Sequence, residues 1–474
     1  MIPLTQSDIN TAKQNHRELY YRVNILNYKM QIVDEIGDVV TDATFTIDST
    51  SNIRRTATLD ITPDKDEWYK IEYGSKLWGD KYVQIYIGIE DDLTQEVNYT
   101  NMGIYLINNP SQRYESTDKT ITLQLVDLMA KMTGIRNGYL TSGTDYQIPK
   151  GSNIRDAMIA ILAECGFTNY NIEFDADAYT ETQIEITVSA TSTYYDILEQ
   201  LNQFNINYEM YFDTDGVFHY HKIPDAYSNM QVMVDDSVWE SIYISHELTN
   251  DYESIKNKIV VIGMTHDVSY YSTTTTFSNN VYQLTIADLS VLDDGIIIGF
   301  TPTQVPNPNT AFRLQVNSLG TYDVIDDLGK VPTLTANTYY VIYWDTTQSK
   351  WIFEGEVTAR GVTQEDDIQS PYCVYGTLGE IGITLQGGEY DNISSDNLAQ
   401  QRAEWELYTR CKLQNSLSLT CVPIYWLDVN WVISITLPNE TQPQFYIIKQ
   451  ISTDGTFDST QRITLMKFYP YYEY

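Results

Sequence analysis

Residues 191–224, TSTYYDILEQLNQFNINYEMYFDTDGVFHYHKIP, join two structural periods without a gap. Tyr194, Ile197, Leu198, Leu201 and Phe204 recur at helical spacing, and Thr193 with Asp196 three residues on forms an N-cap pattern. The period then shortens to alternation through Tyr208, Met210 and Phe212, reaches Asp213-Thr214-Asp215-Gly216, and resumes in Val217, Phe218, His219 and Tyr220. Asp-Gly between two alternating apolar runs predicts a β-hairpin, because the turn needs a positive φ that glycine adopts freely. The stretch reads as a helix laid on a hairpin, a packing unit without catalytic grammar.

Upstream, Tyr20 to Asp127 is a succession of short alternating runs: YYRVNILN, KMQIVDEI, ATFTID, IRRTATLDI, YVQIYIGIE, MGIYLIN and TITLQLVD. Such strands, divided by Gly, Asn, Asp and Pro, predict a sandwich or barrel. Ile154, Met158, Ile161, Leu162 and Cys165 form a helical stripe stopped by Gly166, and residues 171–188 read as an extended connection. Downstream, SIKNKIVVIG (254–263) returns to strand. A Thr- and Asn-rich region from about Met264 to Glu356 then reads as an inserted small β-domain. A third helix is predicted over 395–413, with its stripe at Ala399, Ala403, Leu407 and Cys411, followed by four more strands and Tyr-Pro-Tyr-Tyr-Glu-Tyr.

The chain has 474 residues, enough for several cores, and 29 basic against 64 acidic residues give a net charge of −35. That balance argues against a nucleic-acid binder, which needs clustered Lys and Arg, and against attraction to anionic membranes. An acidic surface keeps a chain soluble, and an acidic channel would let DNA pass without holding it. Cys165, Cys373, Cys411 and Cys421 stand far apart, so neither a zinc site nor a disulfide framework is expected. The N-terminus lacks the basic and apolar regions of a signal peptide, and no run approaches the length of a membrane span.

Candidate chemistry is thin. Asp213-x-Asp215-Gly216 resembles the start of a calcium loop, but Pro224 stands where the closing Glu belongs and the flanks are strands. His219 and His221 share a strand face without a third ligand nearby, and His16, His246 and His266 are scattered. Acidic doublets at 91–92, 235–236, 293–294, 326–327 and 366–367 could supply a glycosidase pair, yet doublets are expected by chance in so acidic a chain. The sequons at Asn98, Asn392 and Asn439 read as chance matches. Hydrolase, zincin and nucleotide-binding motifs are missing. Arg54-Arg55 breaks the acidic pattern. Alternation on a strand would turn only one of the pair towards a core or an interface, the other reading being a surface pair. Tyrosine is abundant, 39 residues against 13 Phe, and its spread along the chain favours subunit interfaces over a sugar-binding face.

In order, NIRRTATLDI, GSNIRDAMIAILAECGF, the 191–224 block, LTNDYESIKNKIVVIG, NLAQQRAEWELY with SLSLTCVPIYWLDVNWVISI, and FYIIKQISTDGTFDSTQRITLMKFYPYY resemble the baseplate hub proteins of phage tails and related injection systems. The resemblance covers residues 5–262 and 360–474; the 264–356 segment is absent from short members. It implies a mainly β (α+β) chain with a first hub β-barrel over 1–135, a helix-plus-hairpin domain over 136–245, and a second hub β-barrel over 246–263 and 357–474. Residues 264–356 would be the insert. The two barrels would form a torus, and a homotrimer would imitate sixfold symmetry. Such a hub joins the hexameric tail tube to a trimeric spike or tail tip, with an acidic lumen for DNA, and needs neither catalytic residues, cofactor nor metal. Its implied partners are tail tube or distal tail protein, spike or tail-tip protein and tape measure protein, in a virion assembled in the host cytoplasm. Arg54, Arg55, Trp405, Trp426, Trp431, Tyr471 and Tyr472 are the expected intersubunit residues. The alternative is a tail adhesin that binds a host-surface glycan through the 264–356 insert.

Overall fold

The computed structural model describes residues 6–14, 17–36, 39–63, 70–92, 94–115, 119–141, 143–176, 178–226, 231–234, 236–307, 310–438, 440–455 and 459–469. They are mainly β and fall into two compact units, residues 1–251 with 414–474, and residues 252–413.

The first unit is built on a twelve-stranded sheet. Its path runs Tyr243–Asp251, Gln414–Cys421, Gln461–Lys467, Gln444–Asp454, Val40–Asp48, Arg55–Ile61, Lys119–Asp127, Val97–Tyr114, Tyr82–Glu90, Leu19–Leu26 and Ile32–Glu35. Val432–Ile435 pairs with Gln444–Asp454 beside that path. Alternation decides which face is buried: in Arg55–Ile61, Ala57, Leu59 and Ile61 point inward while Thr56, Thr58 and Asp60 do not. Each such Leu or Ile contributes about 1.5–3 kcal/mol by burial. Ile451 lies opposite Ile47, so strands from the beginning and the end of the chain share one ladder.

The 191–224 block forms as its pattern predicts, with one change. The helix Tyr194–Asn202 opens on a capping box, Thr193 Oγ1 accepting from Asp196 N and the Asp196 carboxylate from Thr193 N. The hairpin pairs Tyr208–Phe212 with Phe218–Lys222, Phe212 standing opposite Phe218. Val217, read as strand, belongs to the turn, because the Asp213 carboxylate accepts from both Asp215 N and Val217 N at 2.9 Å and widens the loop. Gly216 supplies the positive φ of 76°. Asn101 Nδ2 donates to Thr214 O and the Asp215 carboxylate, fastening the tip to the strand Val97–Tyr114. The helix Ile154–Glu164 and the helix Tyr194–Asn202 share one core with Phe212, Phe218 and Tyr220.

The 171–188 connection holds more structure than expected: Tyr170–Ile172 pairs parallel with Phe218–Lys222, and Ile186–Val188 pairs with Tyr146–Ile148. Three residues are too few to display a period. A short helix, Asp236–Ile242, also escaped the sequence reading.

In the second unit, Lys258–Thr265 lies between Thr358–Gln364, antiparallel, and Gly382–Leu385, parallel. Thr265 stands opposite Thr358, so the chain leaves and re-enters this sheet at neighbouring points. Between them it forms an eight-stranded sheet around Tyr282, Phe300, Phe312 and Trp351. The helix Asp396–Arg410 lies against Thr358–Gln364. Its Asp396 carboxylate accepts from Glu356 N and Arg360 N at 2.8 Å, and Gln400 Oε1 from Val362 N at 3.1 Å. These side chains satisfy an edge that would otherwise lack a neighbouring strand. Ala399 and Ala403 face inward as predicted. Glu406 turns inward as well, held by Arg402 Nε, Arg410 Nε and the Tyr390 hydroxyl.

Candidate functional site

A dense polar constellation in the first unit is buried. Arg54 precedes the strand Arg55–Ile61, and it lies 5% exposed beside Arg55 at 2%. The expectation that only one of the two turns inward fails, because Arg54 sits at the strand entry where alternation does not yet hold.

Arg54 Nη1 pairs with Glu209 at 2.6 Å, its Nε reaches Asp428 at 3.3 Å, and Nη2 donates to Val429 O at 2.8 Å. Arg55 Nη2 pairs with the other Asp428 oxygen, and Nη1 donates to Phe212 O at 2.5 Å. The Tyr211 ring lies 3.7 Å from the Arg54 guanidinium carbon. Asn430 Nδ2 donates to Glu209 at 2.7 Å and its Oδ1 accepts from Lys449 at 3.1 Å. Two guanidiniums thus face two carboxylates, with backbone carbonyls taking further donors.

The electrostatics follow from the packing. Burial alone would raise the Asp428 carboxyl, but Arg54 and Arg55 outweigh it and hold the group below its ordinary value. Burial likewise opposes the charge on Arg54, and Asp428 and Glu209 more than restore it, so its pKa is raised. The pairs join three segments: the hairpin strand Tyr208–Phe212, the entry to Arg55–Ile61, and residues 428–430. Both carboxylates of this arrangement are paired with guanidiniums, and the pairs fasten these segments together.

Asp127 completes the floor. Its carboxylate accepts from Arg55 N and Met129 N at 2.9 Å. Burial pushes the group up to about 6, against those hydrogen bonds and the arginine charge. A carboxyl raised above its unfolded value contributes stability that is complete below about pH 4 and lost as pH rises through about 6. Between about pH 4 and pH 7 the protein should therefore lose about 2 kcal/mol relative to its Asp127→Asn variant. Denaturant titrations of both proteins at the two pH values measure this, and a constant difference would refute it.

The other candidates disperse. Trp426 is buried in the first unit's core, and Trp431 packs half-buried against that core. In the second unit, Trp405 is half-buried on the helix Asp396–Arg410, its ring 5.1 Å from that of Tyr408. Tyr471, Tyr472, His16, Asp235 and Asn439 lie outside the described residues. Asp213 is spent on its turn and on His219 Nε2 at 2.9 Å, while His221 lies 3.5 Å from Glu209. Burial would raise the Asp213 carboxyl, but hydrogen bonds from His219 and the turn amides hold it low. Among the described residues no group of three or more His, Cys, Asp or Glu could hold a metal ion.

Carboxylates of the described acidic doublets are engaged in hydrogen bonds within the fold, some in their own turns and some far along the chain. Asp236 accepts from Thr436 N and Oγ1, Asp294 from Thr346 N and Oγ1, Asp326 from Leu328 N and Lys330 N, and Asp367 from Gln369 N. The sequence reading missed Glu209, Asp428 and Asn430. The usable signal was Asp428 itself, an acidic residue inside the apolar run WLDVNW.

Residues 369–472 match a domain of unknown function (DUF5048). No curated protein matches the sequence. Among solved structures, the chain is similar to the 43 kDa tail protein of prophage MuSo2 from Shewanella oneidensis. The TM-score is 0.51 and the identity 10%, over 95% of this chain and 98% of that one. It is also similar to the tail protein from Neisseria meningitidis MC58, at a TM-score of 0.51 and 9% identity, over 94% of this chain and 96% of that one.

Proposed function

From a chain that carries the fold of phage tail proteins, we propose a structural virion protein: a tail or baseplate hub joining a hexameric tail tube to a trimeric spike or tail tip. In this reading the protein acts as a homotrimer whose β-barrel domains close a torus, with the eight-stranded sheet of the 264–356 region carried as an insert. It performs no catalysis. Its partners are the tail tube or distal tail protein, the spike or tail-tip protein and the tape measure protein, brought together in the host cytoplasm.

The observation that carries the reading is a tail-protein fold over nearly the whole chain, joined to a buried polar centre whose charges are turned on one another. The net charge of −35 suits a lumen through which DNA passes without being held. Trp405 and Trp431, each half-buried, have ring surface left for a neighbouring subunit, and in this proposal Tyr471 and Tyr472 are intersubunit residues as well. Arg54, Arg55 and Trp426 would support such an interface from within, by fixing the segments behind it.

Mass measurement in solution with negative-stain imaging tests the proposal. The expected result is a trimer or ring that adds to rings of tail-tube protein. A strict monomer that forms no ring with the tube protein would exclude the hub.

A further inference from the structure

Beside the Arg54 pairs, a lysine amine meets an asparagine amide. Asn430 N donates to Ile448 O at 2.7 Å and Ile448 N to Trp431 O at 2.9 Å, so backbone bonds set Asn430 against the strand Gln444–Asp454. From the next position of that strand, Lys449 Nζ donates to Asn430 Oδ1 at 3.1 Å. The other end of the amide is fixed as well, Nδ2 donating to Glu209 Oε2 at 2.7 Å. Asn430 is 4% exposed, which keeps bulk water from its amide carbon.

An amine, an amide and a carboxylate held together and shielded from water are the parts of an amide exchange. A lysine amine attacks only in its neutral form, and an unactivated amide yields only where the fold holds the two groups together. Burial lowers the Lys449 pKa, with Glu209 opposing the shift and Arg54 adding to it. Glu209 stands where a proton must pass. The oxygen that holds Asn430 Nδ2 also pairs with Arg54 at 2.6 Å, and its other oxygen lies 3.5 Å from His221 Nε2.

We propose that Lys449 and Asn430 join in an intrachain isopeptide bond, with Glu209 as the proton carrier. Lys449 Nζ adds to Asn430 Cγ and the Cγ–Nδ2 bond breaks. The Glu209 carboxylate takes a proton from the incoming nitrogen and gives it to the leaving one, which departs as ammonia. Nothing is oxidised or reduced, and no other reactant enters. Asn430 and Glu209 line a cleft of about 170 Å³ together with the turn Asp48–Asn52 and Asn202, and its exposed rim at Thr50–Asn52 gives the ammonia a way out. The step occurs once per chain and turns over no substrate.

Intact-mass measurement of the denatured full chain, with peptide mapping, tests it. The mass should fall short of the sequence by one ammonia, about 17 Da, and the peptides bearing Asn430 and Lys449 should appear as one branched species. Lys449→Arg keeps a cation and a donor for Asn430 but no nucleophilic amine, and should retain the full mass. Glu209→Gln should slow the joining about 100-fold or more, seen as unjoined chain in freshly purified protein. An unchanged mass in the folded parent protein after a day at about pH 8 would overturn the proposal. So would a loss of ammonia without branched peptides, the mark of a succinimide, or a branched species that persists in Lys449→Arg.

Discussion

Asp428→Ala is expected to destabilise the first unit by about 3–5 kcal/mol, because it strands two buried guanidiniums that share one carboxylate. Arg54 would retain Glu209, whereas the Arg55 guanidinium would keep the Phe212 carbonyl and no carboxylate among the described residues. Denaturant unfolding followed by Trp fluorescence should show the loss as a lowered midpoint. Glu389→Gln, at the exposed end of the Arg402 pair, should change stability by less than about 1 kcal/mol. A comparable loss in both variants would mean that burial is not what gives the Asp428 pairs their weight. The pH dependence has a definite sign. A carboxyl held below its unfolded value contributes stability that is present above about pH 4 and lost as pH falls through its folded value. The gap between the parent protein and Asp428→Asn should therefore narrow on acidification, opposite to the trend at Asp127.

Gly361→Val should cost the second unit about 3 kcal/mol or more, at the upper end of overpacking effects. A Cβ at Gly361 would overlap the Ala399 carbonyl and the neighbouring backbone of the helix Asp396–Arg410. Backbone cannot rotate aside as a side chain can, so the helix must lift from the strand. Lifting it would break the Asp396 bonds to Glu356 N and Arg360 N and the Gln400 bond to Val362 N. Hydrogen exchange should report the loss as faster exchange of those three amides. Gly382→Ala, in the third strand of the same sheet, is the matched control. Its Cβ would approach nothing nearer than Lys258 O at 3.8 Å, an ordinary contact. Fast exchange in both variants would mean that the close approach is not what holds the helix.

The local signals in the sequence were sufficient for local structure. Thr193 with Asp196 marked a helix start, Asp215-Gly216 a hairpin, and the Ala399–Ala403 spacing an inward helix face, each decided by residues a few positions apart. The fastening of Arg54 and Arg55 was not legible. Its carboxylates stand 155 and 374 residues away along the chain, and nothing in SNIRRTATLDI names them. Glu406 was hidden for a related reason. A periodic reading takes apolar residues for the inward stripe, whereas here Arg402, Arg410 and Tyr390 together make a carboxylate tolerable inside. The cleft beside Arg54 was equally invisible, since the Asp48–Asn52 turn and Asn202 meet only in three dimensions.

The ladder between Val40–Asp48 and Gln444–Asp454 has a consequence for synthesis. Gln450 reaches Asp48 across 402 positions, so a strand made early on the ribosome waits for one made late. Until then Val40–Asp48 presents a bare edge, open to mispairing with other nascent chains. Such non-local closure slows folding and leaves fragments without their partner strand. Translation past Asp454 is thus required before Val40–Asp48 is paired on both sides, and a chain terminated earlier keeps that edge open.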